Sequence, residues 1–176
     1  RDYLAAAFLD PNALALDVNA IHQGYMRGLK RNGSEIVCNA QIQGLERKGG
    51  KWHASTPAGE FAAPVLINAA GAWADQLGQM AGARKINLQP KRRTVIAFTP
   101  ANAEVDDDWP VVIDCQEEFY FKVDAGTVLG SPADETPVEP QDVQPEEIDI
   151  AYTIDRLQRA TTMEITKLQR SWAGLR

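Results

Sequence analysis

Histidine and cysteine are scarce in this chain, with two of each among 176 residues. Cys38 and Cys115 stand far apart with no metal-like spacing. A disulfide framework and a cysteine zinc site are both excluded, and the pair reads as reduced thiols of a cytoplasmic protein. His22 falls in a predicted helix and His53 in a predicted strand, in no paired motif, so each reads as structural. There is no Gly-x-Ser-x-Gly elbow, no paired-histidine motif and no P-loop, which removes the usual hydrolytic machinery. No apolar run approaches the length of a bilayer span, so no transmembrane segment is expected. A net charge of −6 leaves no basic surplus for a nucleic-acid partner. The acidic run at 104–108 lacks the glycine and terminal glutamate of a calcium loop and reads as a solvated turn.

What is present is ordinary for a globular protein: 44% hydrophobic and 24% charged residues. Asp17 is a candidate N-cap for a helix to about Lys30, with Val18, Ile21, Tyr25 and Leu29 on one face and Asn32-Gly33 as its stop. Residues 35–38 and 41–47 read as strands, and Gly49-Gly50 turns the chain into a hairpin partner at 51–56. The apolar run Val65-Leu-Ile67 reads as a buried strand, followed by a small-residue turn at Gly71 and a helix carrying Trp73, Leu77 and Met80. Such a strand–turn–helix can serve packing alone, or can bring backbone N–H groups to a phosphate or cofactor edge. The residues by themselves leave both open.

Further along, residues 91–99, 111–115, 118–123 and 127–130 are β-rich, with Asp124-Ala-Gly126 as a hairpin turn. Residues 131–145 form a proline-rich acidic loop in which Asp134-Glu135 reads as surface. A helix follows from Glu146-Glu147, with Ile148, Ala151, Ile154 and Leu157 spaced for one buried face. The expected architecture is α+β: an α/β part at residues 1–85 with a small antiparallel excursion, and a mostly antiparallel part at residues 86–176. Both ends read as cut from a longer protein, with no signal peptide in view.

Three places could do chemistry. Arg92 and Arg93 open a strand, Tyr120 sits between Phe119 and Phe121, and Arg176 ends the Trp172-Ala-Gly-Leu-Arg run. A guanidinium grips a carboxylate through two parallel hydrogen bonds, and a phenol can add another donor. Taken singly, each is equally a solvated surface group or a core tyrosine.

Several motifs occur together and in order: His22-Gln-Gly-Tyr25, Asn68-Ala-Ala-Gly-Ala-Trp73, Leu88-Gln-Pro-Lys-Arg-Arg93, Phe119-Tyr-Phe-Lys122, Leu129-Gly-Ser-Pro132, Asp142-Val-Gln-Pro145 and Trp172-Ala-Gly-Leu-Arg176. By these the chain resembles the FAD-dependent D-amino-acid oxidase and dehydrogenase family over nearly its full length. Its narrower motifs, Gln-Pro-Lys-Arg-Arg and Asp-Val-Gln-Pro, are similar to those of the bacterial D-arginine dehydrogenase branch. The resemblance implies that Arg93, Tyr120 and Arg176 hold the substrate α-carboxylate, and that Val111 and Ile113 line the side-chain pocket. It implies FAD contacts at Ala40, Gln41, Ala69, Ala70, Gly71 and Trp73. The partner would be a small amino acid, oxidised by hydride transfer to flavin to an imine, then to a 2-oxo acid and ammonia. No catalytic nucleophile and no metal is needed, since positioning and the cofactor carry the reaction. The electron acceptor stays open. A glycine- or sarcosine-type amine oxidase, or a non-catalytic module reusing the fold, would share much of this pattern. The Gly-x-Gly-x-x-Gly fingerprint expected of such an enzyme is missing, so these residues alone are expected to hold FAD weakly and to be inactive.

Overall fold

The computed structural model describes residues 4–176 and divides into two compact units, Asn12–Leu88 and Gln89–Arg176, the second joined by the segment ending at Pro11. The architecture is α+β, and every paired strand among the described residues is antiparallel.

In the first unit, α1 (Val18–Arg31) begins where the Asp17 carboxylate accepts the Ala20 N–H at 2.8 Å. It ends at Asn32, and Gly33 takes the positive φ of 73° that lets Ser34 N–H return to the Leu29 carbonyl. Its apolar stripe of Val18, Ile21, Tyr25 and Leu29 is exposed. A three-stranded sheet follows, β1 (Gly44–Lys48), β2 (Lys51–Thr56) and β3 (Gly59–Ala63), with β2 central. Gly49 and Gly50, at φ 59° and 77°, make the β1–β2 turn. Then come a 3-10 turn over Gly71–Trp73 and the short helix α2 (Ala74–Met80).

Two sequence expectations fail here. Residues 35–38 and 65–67 form no strand. The reason is a missing ladder: no strand of this unit lies alongside to take their backbone hydrogen bonds, and Val65 and Ile67 stand 69% and 81% exposed.

The second unit is a six-stranded sheet covered on one face by a helix. Its strands are β4 (Lys91–Phe98), β5 (Val112–Ile113), β6 (Tyr120–Asp124), β7 (Thr127–Ser131), β8 (Thr136–Pro137) and β9 (Leu168–Leu175), and its helix is α3 (Glu147–Ala160). β4 is the axis: β9 pairs along one edge, while β7 and β8 share the other. The β6–β7 hairpin turns through Ala125 and Gly126, both at positive φ. β8 and β9 carry no clear alternating apolar pattern, and the sequence reading passed over both.

Alternation along β4 sorts its side chains by face. Arg92, Thr94, Ile96 and Phe98 are buried, while Lys91, Arg93 and Val95 are only half-buried. The buried set joins Phe119, Phe121, Val128 and Leu157 in the core. The burying face of α3 is only partly the one its aliphatic spacing suggests. Leu157 is buried and Ile154 packs on the core as expected, but Asp149, Thr153 and Ala160 also turn inward while Ile148 and Ala151 are exposed. Asp149 is drawn in by Arg92, and Thr153 satisfies its hydroxyl on the Asp149 carbonyl at 2.7 Å. Gly130 lets the helix approach: a Cβ there would lie 2.6 Å from Leu157 Cδ1.

Candidate functional site

The adjacent arginines of β4 have opposite fates. Arg92 is buried, with Nη2 on Asp149 Oδ2 at 2.8 Å, Nη1 on Glu146, and Asp134 Oδ2 3.8 Å from Nε. The Glu146 hydrogen bond raises the pKa of Arg92, and Arg92 in turn lowers that of Glu146. Asp149 is pulled upward, because burial and the neighbouring Asp134 outweigh the help from Arg92. Asp134 is no surface group: its side chain is 6% exposed and accepts from the Thr94 N–H at 2.6 Å and the Thr94 hydroxyl at 3.0 Å. This corrects the surface reading of Asp134, while Glu135 beside it is exposed as expected. The loop is pinned because a buried guanidinium and two β4 donors need that carboxylate.

Arg93 points the other way, with its guanidinium 5.9 Å from the centre of the Tyr120 ring. Strand register explains this meeting. Ile113 pairs Tyr120, Tyr120 pairs Ser131, and Arg93 pairs Gly174, while Lys91 and Arg176 exchange backbone hydrogen bonds. Partners directly opposite in an antiparallel ladder share a face, so Lys91, Arg93, Tyr120, Ile113 and Arg176 all lie on the face opposite α3. Val111 comes just before β5 and, like Ile113, is exposed.

Glu135 is the group around which these cations gather. Its Oε1 lies 3.3 Å from both Arg93 Nη2 and Arg176 Nη1, and its Oε2 lies 2.5 Å from Lys91 Nζ. Lys91 first, then Arg176 and Arg93, hold its pKa below the ordinary carboxylate range. Two guanidiniums converging on one carboxylate oxygen is the arrangement expected for gripping a carboxylate ligand. Glu135 was missed from the sequence. Its only signal was acidity next to a loop whose far end returns to β4, which needs the topology to be read.

In the first unit, a groove of about 460 Å³ is lined by Gln41, Ile42, Ala70, Trp73, Gln76, Leu77 and Met80. Gln41, Ala70 and Trp73, three of the six residues expected to contact a cofactor, are on this wall. Ala40, Ala69 and Gly71 are their chain neighbours. The turn is tied by Asn68, whose Oδ1 accepts from Ala70 N–H at 3.2 Å and whose Nδ2 donates to the Ala74 carbonyl at 2.8 Å. Asp75 then fastens the following loop, accepting from Ile86 N–H at 2.8 Å and Leu88 N–H at 2.9 Å. The Ile86 bond is the chief reason its pKa is lowered. Gly71 sits at φ 55° with open space where a Cβ would be. A largely apolar groove edged by two primary amides suits a planar heteroaromatic ring with its own donors and acceptors, so these residues fit a flavin or adenine edge. Among the described residues no cluster could hold a metal ion, and no helix is long and apolar enough to cross a membrane. Cys38 and Cys115 are free thiols.

Comparison with known proteins supplies a family for the chain. Residues 1–176 match the family described as DAO, FAD dependent oxidoreductase. Hydrogen cyanide synthase subunit HcnC of Pseudomonas aeruginosa is 28% identical over 156 residues, which is 86% of this chain and 36% of that protein. Mitochondrial dimethylglycine dehydrogenase of Rattus norvegicus is 25% identical over 133 residues, covering 74% of this chain and 16% of the relative. The chain thus spans well under half the length of both. Among solved structures, L-proline dehydrogenase from P. horikoshii superposes with a TM-score of 0.69 at 19% identity, over 88% of this chain and 42% of the other.

Proposed function

Because the chain belongs to the FAD-dependent oxidoreductase family, we propose that it carries the substrate-carboxylate clamp of an enzyme oxidising amino acids at Cα. The observation that carries this reading is the convergence of Arg93 and Arg176 on a single carboxylate oxygen, with Tyr120 packed against Arg93.

The clamp acts by position. Arg93 and Arg176 take the α-carboxylate, and Tyr120 packs against the Arg93 guanidinium and adds a phenolic donor on the same face. Val111 and Ile113, exposed and apolar, receive the substrate side chain. With the carboxylate fixed, Cα–H is held in one orientation, which lowers the entropic part of the barrier. FAD, when bound, supplies the acceptor for the two electrons and the hydrogen that leave Cα. The amine nitrogen gives up a proton, the C=N bond forms, and water hydrolyses the imine to a 2-oxo acid and ammonia. Gln41, Ala70 and Trp73 would hold the cofactor, with Gly71 leaving its approach clear.

D-amino acids are the substrates this reading favours. D-arginine is its narrowest form, supported by the Leu88-Gln-Pro-Lys-Arg-Arg93 and Asp142-Val-Gln-Pro145 motifs. A second reading, a secondary or tertiary amine carrying a carboxylate, is favoured by the names of two relatives, dimethylglycine dehydrogenase and L-proline dehydrogenase. One assay separates them. The whole FAD-loaded enzyme is tested with an artificial electron acceptor against D-amino acids, their L-enantiomers and N-methylated glycines. Turnover confined to the N-methylated or L-forms would reject the D-amino-acid reading.

A further inference from the structure

We propose that Glu135 is a positioning residue for carboxylate binding: it braces Arg93 and Arg176 from one side so that their remaining N–H groups meet a ligand carboxylate from the other. This rests on the clamp reading above and adds to it a residue that touches no ligand.

The argument begins with what each guanidinium has left. Arg93 gives Nε to the Asp134 carbonyl at 2.9 Å and Nη2 to Glu135. Its Nη1 has no protein acceptor among the described residues. Arg176 brings Nη1 to 3.3 Å from Glu135 Oε1 as an ion pair, its side chain is 54% exposed, and its Nε and Nη2 have no acceptor among the described residues. Arg93 Nη1 and Arg176 Nε and Nη2 are therefore unspent, and the Glu135 bridge sets the distance between the two guanidiniums.

Glu135 could instead be a mobile carboxylate that competes with the ligand. The backbone around it speaks against that. Asp134, one residue before, is locked on Thr94 by two hydrogen bonds, and Thr136, one residue after, pairs with Arg92 in β8. With its backbone held on both sides and its carboxylate tied to Lys91, Arg93 and Arg176, Glu135 is placed for a ligand to bind beside it rather than replace it. Charge allows this. Lys91, Arg93 and Arg176 bring three positive charges to one carboxylate, which leaves room for a second anion.

The test uses pyruvate, which has the carboxylate and lacks the amine, titrated calorimetrically into the flavin-loaded protein and its E135Q, E135D and R93K variants. We expect E135Q to bind pyruvate about ten-fold more weakly, and E135D to recover part of that loss. In turnover, E135Q raises KM for the amino acid with little change in kcat, and leaves an amine without a carboxylate unaffected. A merely structural role would lower activity on both substrates. Unchanged pyruvate affinity in E135Q overturns the proposal, and so does tighter binding, which would make Glu135 a competitor. If E135Q fails to fold, E135D decides on the same scale: its carboxylate is kept but withdrawn by one methylene, so a smaller loss of pyruvate affinity is expected, and an unchanged affinity overturns the proposal. If R93K leaves pyruvate binding untouched, or the unmodified protein does not bind it, the clamp reading itself fails.

Discussion

Lys91 and Arg176 exchange both backbone hydrogen bonds, each N–H meeting the other's carbonyl at 2.9 Å. That pairing carries the β4–β9 ladder to its last residue and anchors the Arg176 backbone two positions from Arg93 across the sheet. The Arg176 guanidinium reaches Glu135 from a fixed base, despite its exposure. Replacing Arg176 by Lys keeps the charge and the pairing but removes the planar fork. The expected outcome is a KM for amino-acid substrates raised about ten-fold or more, in line with ~1.5–3 kcal/mol for a charge-assisted hydrogen bond. Melting temperature should stay near that of the unmodified protein. Steady-state kinetics beside a thermal melt checks both.

Arg92 predicts the reverse. Arg92→Met removes the cation facing Asp149 and Asp134, both of which have little exposed side chain. Stranding buried carboxylates costs about 3–5 kcal/mol. Denaturant unfolding should register that loss, while any protein still folded keeps its affinity for pyruvate. Loss of affinity in the folded fraction would contradict the assignment of Arg92 to the core.

Gly130→Ala tests how closely α3 lies on the sheet. The new methyl would meet Leu157 Cδ1 at 2.6 Å and Thr153 Cγ2 at 3.4 Å, so the fully buried Leu157 tip must shift within a packed core. Overpacking of this kind costs about 1–3 kcal/mol. A neutral result in a chemical melt would mean the helix stands further off.

The pH dependence of stability follows from the carboxylates. Asp75, Glu135 and Glu146 have folded pKa values below their unfolded ones. Their contributions are complete above the ordinary carboxylate range, about pH 4, and are lost as pH falls through the lowered folded values. Asp149, with its raised pKa, acts oppositely: its ionisation disfavours the fold above that pKa, and acid relieves it. Thermal melts from pH 7 to pH 3 should show falling stability below about pH 4. Asp75→Asn should flatten part of that fall, because the amide cannot titrate.

The flavin groove leads to a binding prediction. It offers an apolar wall and two amides, and the 176 residues contain no Gly-x-Gly-x-x-Gly turn for a pyrophosphate. These residues by themselves should bind FAD with a Kd above about 1 μM, less than ~8 kcal/mol. Flavin fluorescence titration measures it, and tight stoichiometric binding would refute it.

Much of this was legible beforehand, for identifiable reasons. Asp17, Asn32-Gly33, Gly49-Gly50 and Asp124-Ala-Gly126 act through local backbone chemistry, so their helix ends and turns could be read directly. The inward face of α3 could be read only in part, because Asp149 is buried by virtue of Arg92, 57 positions away. β9 was hidden for a similar reason: its strand character comes from pairing with β4 rather than from its own mixed sequence. Residues 35–38 and 65–67 show the converse, with strand-like composition but no neighbour to pair with. Tyr120 and Arg93 were named through a family likeness, whereas Asp134 and Glu135 needed the fold, since only the β8 return brings them over β4.

The alternation along β4 also acts as a check on assembly. Moving β4 by one residue would still set a cation, Lys91 or Arg93, against Asp149, but it would turn Ile96 and Phe98 out of the core. Most strands guard their alignment with greasy side chains alone. This one does the same, because the Lys91-Arg92-Arg93 run offers a cation to either face in each neighbouring register, while Ile96 and Phe98 fit only one.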